Sequence, residues 1–332
     1  MRQLSVFVVL GSLTTVSMAS YELAMFTNGS LGISRYDPVN RVSLGTFGTN
    51  SLGQYSGPVI GTDPLRPGRL SVFNGDGAVR IFNYSTGILT GQFGTVDTTY
   101  YGNGPLRFTA MTNGNYAITG YSGASPAQKT RILTTGGSLI STLSPFGSLY
   151  FPLSTAQGTD NRIYQLVRYD LSGGNYAYYS FVFDAVGSYQ GYNDLGTVAD
   201  ANAYGNVVAA NGRVYYSSGA GTSSLNFKWH PNGASQTVSG LSGYNYFITN
   251  GWTNMVVGHN GNLHLIQSSY NGTNYTNRWY TYDAGTNYMS VNHQMASTEY
   301  IGSLAMVIAP EPATWGALAL GSLVLIRRRK KG

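Results

Sequence analysis

The chain has 332 residues, of which 42% are hydrophobic and only 10% charged, with 44 glycines, 27 tyrosines and no cysteine. Its formal charge of +6 sits at its ends: Arg2, Arg327, Arg328, Arg329, Lys330 and Lys331 supply six of 19 bases and Glu311 one of 13 acids, leaving 13 bases and 12 acids in residues 20–309. A body of net charge +1 offers no basic face to nucleic acid, the missing cysteines exclude disulfides and thiolate metal sites, and the aromatic content argues against disorder.

In chain order, the first element is Met1-Arg2, a short positive stretch, followed by an apolar run from Leu4 to Leu10. Ser17-Met18-Ala19 places small residues before a cut between Ala19 and Ser20. This is the pattern of a secretory signal peptide over residues 1–19. It predicts export through the Sec machinery and removal by signal peptidase. The 290 residues that follow are enough to bury a large core without covalent staples.

The body repeats. Strand residues, a polar turn and a second apolar stretch occur as Arg35-Tyr36-Asp37-Pro38-Val39-Asn40-Arg41-Val42-Ser43-Leu44 and again as Ile81-Phe82-Asn83-Tyr84-Ser85-Thr86-Gly87-Ile88-Leu89. Weaker copies surround Gly137, Gly187, Gly233 and Gly285. Counted from Arg41 through these glycines, the spacings are 46, 50, 50, 46 and 52 residues. A second phrase joins short strands through Asn74-Gly75, Asn113-Gly114, Asn211-Gly212 and Asn260-Gly261. Asn-Gly accepts the positive φ values of a two-residue hairpin. A unit of this length with about four strands predicts an all-β fold, a six-bladed β-propeller over residues 20–309. Glu299–Ile308 is left over as an extra strand that can pair with the first blade and close the ring. The units resemble degenerate NHL-type propeller repeats, best in the first two blades and the last. A pair of β-sandwiches or a β-solenoid is the alternative architecture.

Candidate chemistry is sparse. His230 reads as a turn residue, and His259, His264 and His293 as strand-surface residues without a HExxH pattern. Asn74-Gly75-Asp76-Gly77 and Thr159-Asp160-Asn161 read as hairpin turns, because neither continues into the carboxylates that calcium needs. A glycosidase requires two carboxylates across a cleft, yet the body holds only Glu22 and Glu299 as glutamates, near its two ends. Asp37, Asp184 and Asp283 recur at one repeat position and read as turn caps. No catalytic residue, metal site or cofactor is predicted. Tyrosines cluster at Tyr176, Tyr178 and Tyr179, at Tyr244 and Tyr246, and from Tyr270 to Tyr288. Strand packing explains them, and an exposed set would stack on sugars.

The final element comprises Pro310-Glu311-Pro312, a 14-residue apolar run from Ala313 to Ile326, and five cations from Arg327 to Lys331. The prolines bar a helix from crossing the hinge. The run is short for a bilayer span, which needs ~20 residues, and the cations hold the cytoplasmic side. Residues 310–332 resemble the PEP-CTERM sorting signal. That resemblance implies a short transmembrane helix over 313–326, transient anchoring in the inner membrane, and processing by an exosortase at Pro310, Glu311 and Pro312. It also implies a place at the cell surface or in an extracellular matrix, alongside exopolysaccharide and biofilm. The predicted function is a non-catalytic binding or structural propeller, with an extracellular hydrolase or lyase acting on polysaccharide or a lactone as the alternative.

Overall fold

The computed structural model describes residues 20–27, 32–47, 59–62, 66–73, 78–93, 107–121, 128–143, 149–199, 204–217, 227–230, 251–258, 260–270, 273–295 and 301–309. All regular structure there is β. No helix among the described residues is long and apolar enough to cross a membrane, and the predicted signal peptide and the apolar run 313–326 lie outside them.

Six separate antiparallel sheets follow one another along the chain. In the first blade β1 (Ser20–Thr27), β2 (Gly32–Tyr36) and β3 (Ser43–Phe47) succeed one another outward. The second holds β4 (Val59–Thr62), β5 (Arg69–Phe73), β6 (Val79–Asn83) and β7 (Leu89–Phe93). The third holds β8 (Arg107–Ala110), β9 (Tyr116–Tyr121), β10 (Gln128–Leu133) and β11 (Leu139–Leu143). The fourth holds β12 (Tyr150–Gln157), β13 (Ile163–Asp170), β14 (Tyr176–Phe183) and β15 (Tyr189–Val198). The fifth contributes β16 (Asn206–Ala210), β17 (Arg213–Ser217) and β18 (Phe227–His230). The sixth holds β19 (Gly251–Val257), β20 (Leu263–Tyr270), β21 (Tyr275–Asp283) and β22 (Tyr288–Met295). The last strand, β23 (Ile301–Ala309), returns to the first blade as its innermost strand.

The arrangement is a six-bladed β-propeller. The leftover strand expected near Glu299–Ile308 is β23, and it closes the ring by antiparallel pairing with β1, from Ser20 opposite Ala309 to Thr27 opposite Ile301. The innermost strands β23, β4, β8, β12, β16 and β19 contact one another in sequence round the ring.

The inner strands of the blades are buried on both faces, so apolar side chains appear on both of their sides. They form six wedge-shaped clusters, one between each pair of neighbouring blades. Ala24 and Ile33 of the first blade meet Leu70, Val72 and Phe82 of the second. At the seam, Leu23 and Met25 meet Ile266, Trp279 and Met295. Each fully buried large side chain contributes on the order of 1.5–3 kcal/mol.

The turn phrases are not all of one kind. The left-handed position of the turn between the third and fourth strands falls at Arg41, Gly87, Gly137, Gly187 and Asn287, with φ from 55° to 96°. The last is Asn287 rather than Gly285, because Asn also tolerates left-handed φ. Gly87 faces a second constraint, since a Cβ there would meet the Phe47 side chain at 2.9 Å. Among the described Asn-Gly pairs, only Asn211-Gly212 is a two-residue hairpin with both φ positive, at 52° and 70°. At Asn113-Gly114 and Asn260-Gly261 only the glycine is left-handed, and the loops run from Met111 to Asn115 and Gly258 to Asn262. Asn74-Gly75 lies outside the described residues, in the stretch of chain between β5 and β6.

Candidate functional site

The innermost strands wall a central channel of 310 Å³, and all six contribute to its lining. This volume is at the lower end of small-molecule pockets, roughly 300–1,000 Å³. The lining residues are mostly small or β-branched, with Arg107 the single charged residue among them. No carboxylate, imidazole or ammonium group lines it, among the described residues.

Much of the polar lining is committed to joining blades. Ser303 Oγ on β23 accepts the Ile60 amide of β4 at 3.0 Å. Thr109 Oγ1 on β8 donates to the Thr155 carbonyl of β12 at 2.7 Å. Asn254 Nδ2 on β19 donates to the Ile301 carbonyl at 2.9 Å, and Gln157 Oε1 accepts the Thr112 amide at 2.6 Å. Neighbouring innermost strands belong to different sheets, so side chains supply the ties that a sheet ladder would otherwise make. These residues carry no motif in the sequence, and only their neutral polar character on short apolar strands marks them.

A second candidate surface lies on one flank of the fourth blade. Tyr150 and Tyr169 have ring centroids 4.5 Å apart. Tyr179 lies stacked with Phe181 at 5.8 Å, and Tyr192 stands edge-on to Tyr179 at 5.5 Å. Tyr189 packs edge-on against Phe181 and Phe183. Tyr192 is 58% and Tyr189 43% exposed, while Phe181 beneath them is buried. The register places Asp194 opposite Tyr179 on the same flank. Burial and then the Asp194 charge push the Tyr179 phenol up. A row of rings over a buried aromatic floor, with one carboxylate at its edge, offers stacking surface and hydrogen-bond acceptors.

The clusters read from sequence separate accordingly. Tyr178 is fully buried on the other side of β14 against Tyr204, and Tyr176 sits beside Arg168, whose guanidinium lies 5.2 Å from its ring. Tyr280 and Tyr282 are core residues, and Tyr244 and Tyr246 lie outside the described residues. Tyr150, Tyr169, Tyr189 and Tyr192 escape those clusters, because they stand on three different strands and meet only through the register.

The remaining candidates have structural roles. Asp37 Oδ1 accepts the Val39 and Asn40 amides at 2.8 and 3.0 Å. Asp184 Oδ1 accepts those of Val186 and Ser188 at 3.0 and 2.8 Å, and Asp283 Oδ1 those of Gly285 and Thr286 at 2.7 and 3.2 Å. Glu22 is buried and makes a bidentate pair with Arg35, 2.8 Å at each oxygen. Asp160 caps its turn through the Arg162 amide and accepts the Tyr164 hydroxyl at 2.8 Å. Burial and then this carboxylate push the Tyr164 phenol up to about 12.

His264 corrects the surface assignment. It is buried, and its Nδ1 accepts the Trp279 indole N–H at 3.2 Å. His230 ends β18, half-buried, and burial followed by the Lys228 charge pushes its pKa down. His259 lies outside the described residues, as does the side chain of His293. Among the described residues no three His, Asp or Glu side chains gather to hold a metal.

No family model and no curated protein matches this chain. Ser20 opens β1 opposite Ala309, the end of β23. Ala19, Pro310, Glu311, Pro312 and the cluster Arg327, Arg328, Arg329, Lys330 and Lys331 lie outside the described residues.

Proposed function

We propose that this chain is an exported surface or extracellular-matrix protein, held briefly in the inner membrane by residues 313–326 and released by an exosortase acting at Pro310-Glu311-Pro312. Its propeller serves as a non-catalytic binding or structural disc in an exopolysaccharide setting. One observation carries this reading. Among the described residues, Ser20 on β1 pairs with Ala309 on β23, so the two ends of the described propeller lie side by side. The Ala19–Ser20 cut and Pro310-Glu311-Pro312 read from sequence adjoin these paired ends, and cutting there spares every described residue of the β1–β23 pair.

The aromatic flank of the fourth blade supports a binding role, with Tyr179, Tyr189 and Tyr192 presented over Phe181. A hydrolase or lyase would draw on a carboxylate or imidazole beside its substrate, and the channel lining gives that alternative no such group among the described residues. The test is replacement of Pro310, Glu311 and Pro312 by alanine in cells carrying the exosortase. The unprocessed form is expected to accumulate in the membrane fraction, and unchanged processing would sink the assignment.

A further inference from the structure

The exposed large apolar side chains are not scattered. Of the fourteen among the described residues, ten lie in the turn before the outermost strand of a blade or at the first two positions of that strand. Every blade whose turn is described contributes. Val39, Ile88, Leu139, Val186 and Tyr288 represent the first, second, third, fourth and sixth blades, at 56–71% exposed. Scattered exposed apolar residues need no explanation, but a set that recurs at the same position in blade after blade does.

Strand direction puts all of them on one face of the disc. Within each blade the third strand runs toward the same face at which the innermost strand ends. Inter-blade contacts keep that face common, since Asn211 at one turn donates to the Gly261 carbonyl at the next, and Arg213 reaches Asn287. β23 finishes on this face at Ala309, with Ile308 exposed beside it. The apolar run begins at Ala313, four residues later. At ~3.3–3.6 Å per residue that link spans at most about 14 Å.

We propose that this apolar rim rests on a lipid bilayer surface, so that the anchored precursor lies face-down on the membrane. The proposal depends on the tail inserting, as read above. Length decides the occupant: so short a link holds this face, and no other, at the headgroup layer, where apolar side chains bury to a depth of ~5–10 Å. The contact is apolar rather than electrostatic, because the rim's carboxylates Asp37, Asp184 and Asp283, kept ionised by the turn amides they accept, carry the same sign as anionic headgroups and offer them no attraction. It should therefore persist in high salt and on neutral lipid.

The chain has no cysteine, so full-length variants Val39→Cys, Ile88→Cys, Leu139→Cys and Val186→Cys each carry one label. Leu149→Cys and Leu171→Cys are controls, exposed at the opposite face before β12 and after β13. Each variant is labelled with a fluorescent dye and reconstituted in phosphatidylcholine vesicles containing a nitroxide lipid. Quenching at the four rim positions is expected to exceed that at the controls at least twofold, unchanged by salt. Equal quenching in protein that survives an alkaline wash overturns the rim contact while the tail's insertion stands. If the wash strips the protein, the tail reading falls. Rim-selective quenching before that wash then still supports the rim, and its absence overturns both. A dye response without vesicles, together with a concentration-dependent dimer, assigns the rim to a second copy and overturns the lipid assignment.

Discussion

At Asp184 a single carboxylate does the work that the repeat phrase announces. The Ser188 amide first, and the Val186 amide with it, hold this carboxyl below the usual carboxylate range, against an opposing effect of burial. Its folded pKa lies below its unfolded value of ~3.9, so the stabilisation is complete above that pH and is lost as pH falls through the folded value. Asp184→Asn keeps the acceptor and removes the titration, so its thermal melts should depend less on pH below ~4 than the parent's. Asp184→Ala should melt lower at every pH. His264→Ala leaves the Trp279 N–H buried without an acceptor and should cost about 2 kcal/mol in denaturant titration. Asp184 was legible in the sequence because its turn geometry recurs with Asp37 and Asp283. His264 was not, because alternation along a strand reports two sides without saying which is covered. In this molecule both are.

For the elements, β23 dominates. Val307→Asp would place an unpaired charge in the cluster between the first and second blades, where Val307 is buried against Ala24 and Ile60. It should cost at least about 4 kcal/mol. Ser303→Ala should cost about 1–2 kcal/mol through the Ile60 amide alone, with the ring still closed. Equilibrium unfolding of the two variants separates closure from packing. The closing strand was legible as an apolar phrase left over after six units. The ties that join one innermost strand to the next were not, since Thr109–Thr155 and Asn254–Ile301 depend on lateral contacts between sheets that no local pattern encodes. Asn-Gly marked a two-residue hairpin at Asn211-Gly212 but longer loops at Asn113-Gly114 and Asn260-Gly261, where only the glycine is left-handed.

At the scale of the whole molecule, blade number followed from spacing, because four short strands and their turns consume nearly the same length each time. The aromatic flank did not follow, because Tyr150, Tyr169, Tyr179 and Tyr192 come together only when β12 to β15 pair in register. If that flank holds neutral glycan, Tyr179→Ala and Tyr192→Ala should each weaken retention on immobilised polysaccharide several-fold, corresponding to about 1 kcal/mol per ring. Unchanged retention would leave the disc a structural part only. The pairing of Ser20 with Ala309 also bears on biogenesis. If the chain is exported as proposed, a first blade that lacks its innermost strand until residues 301–309 arrive keeps the ring open, and the chain threadable, for almost the whole of its passage through a narrow pore.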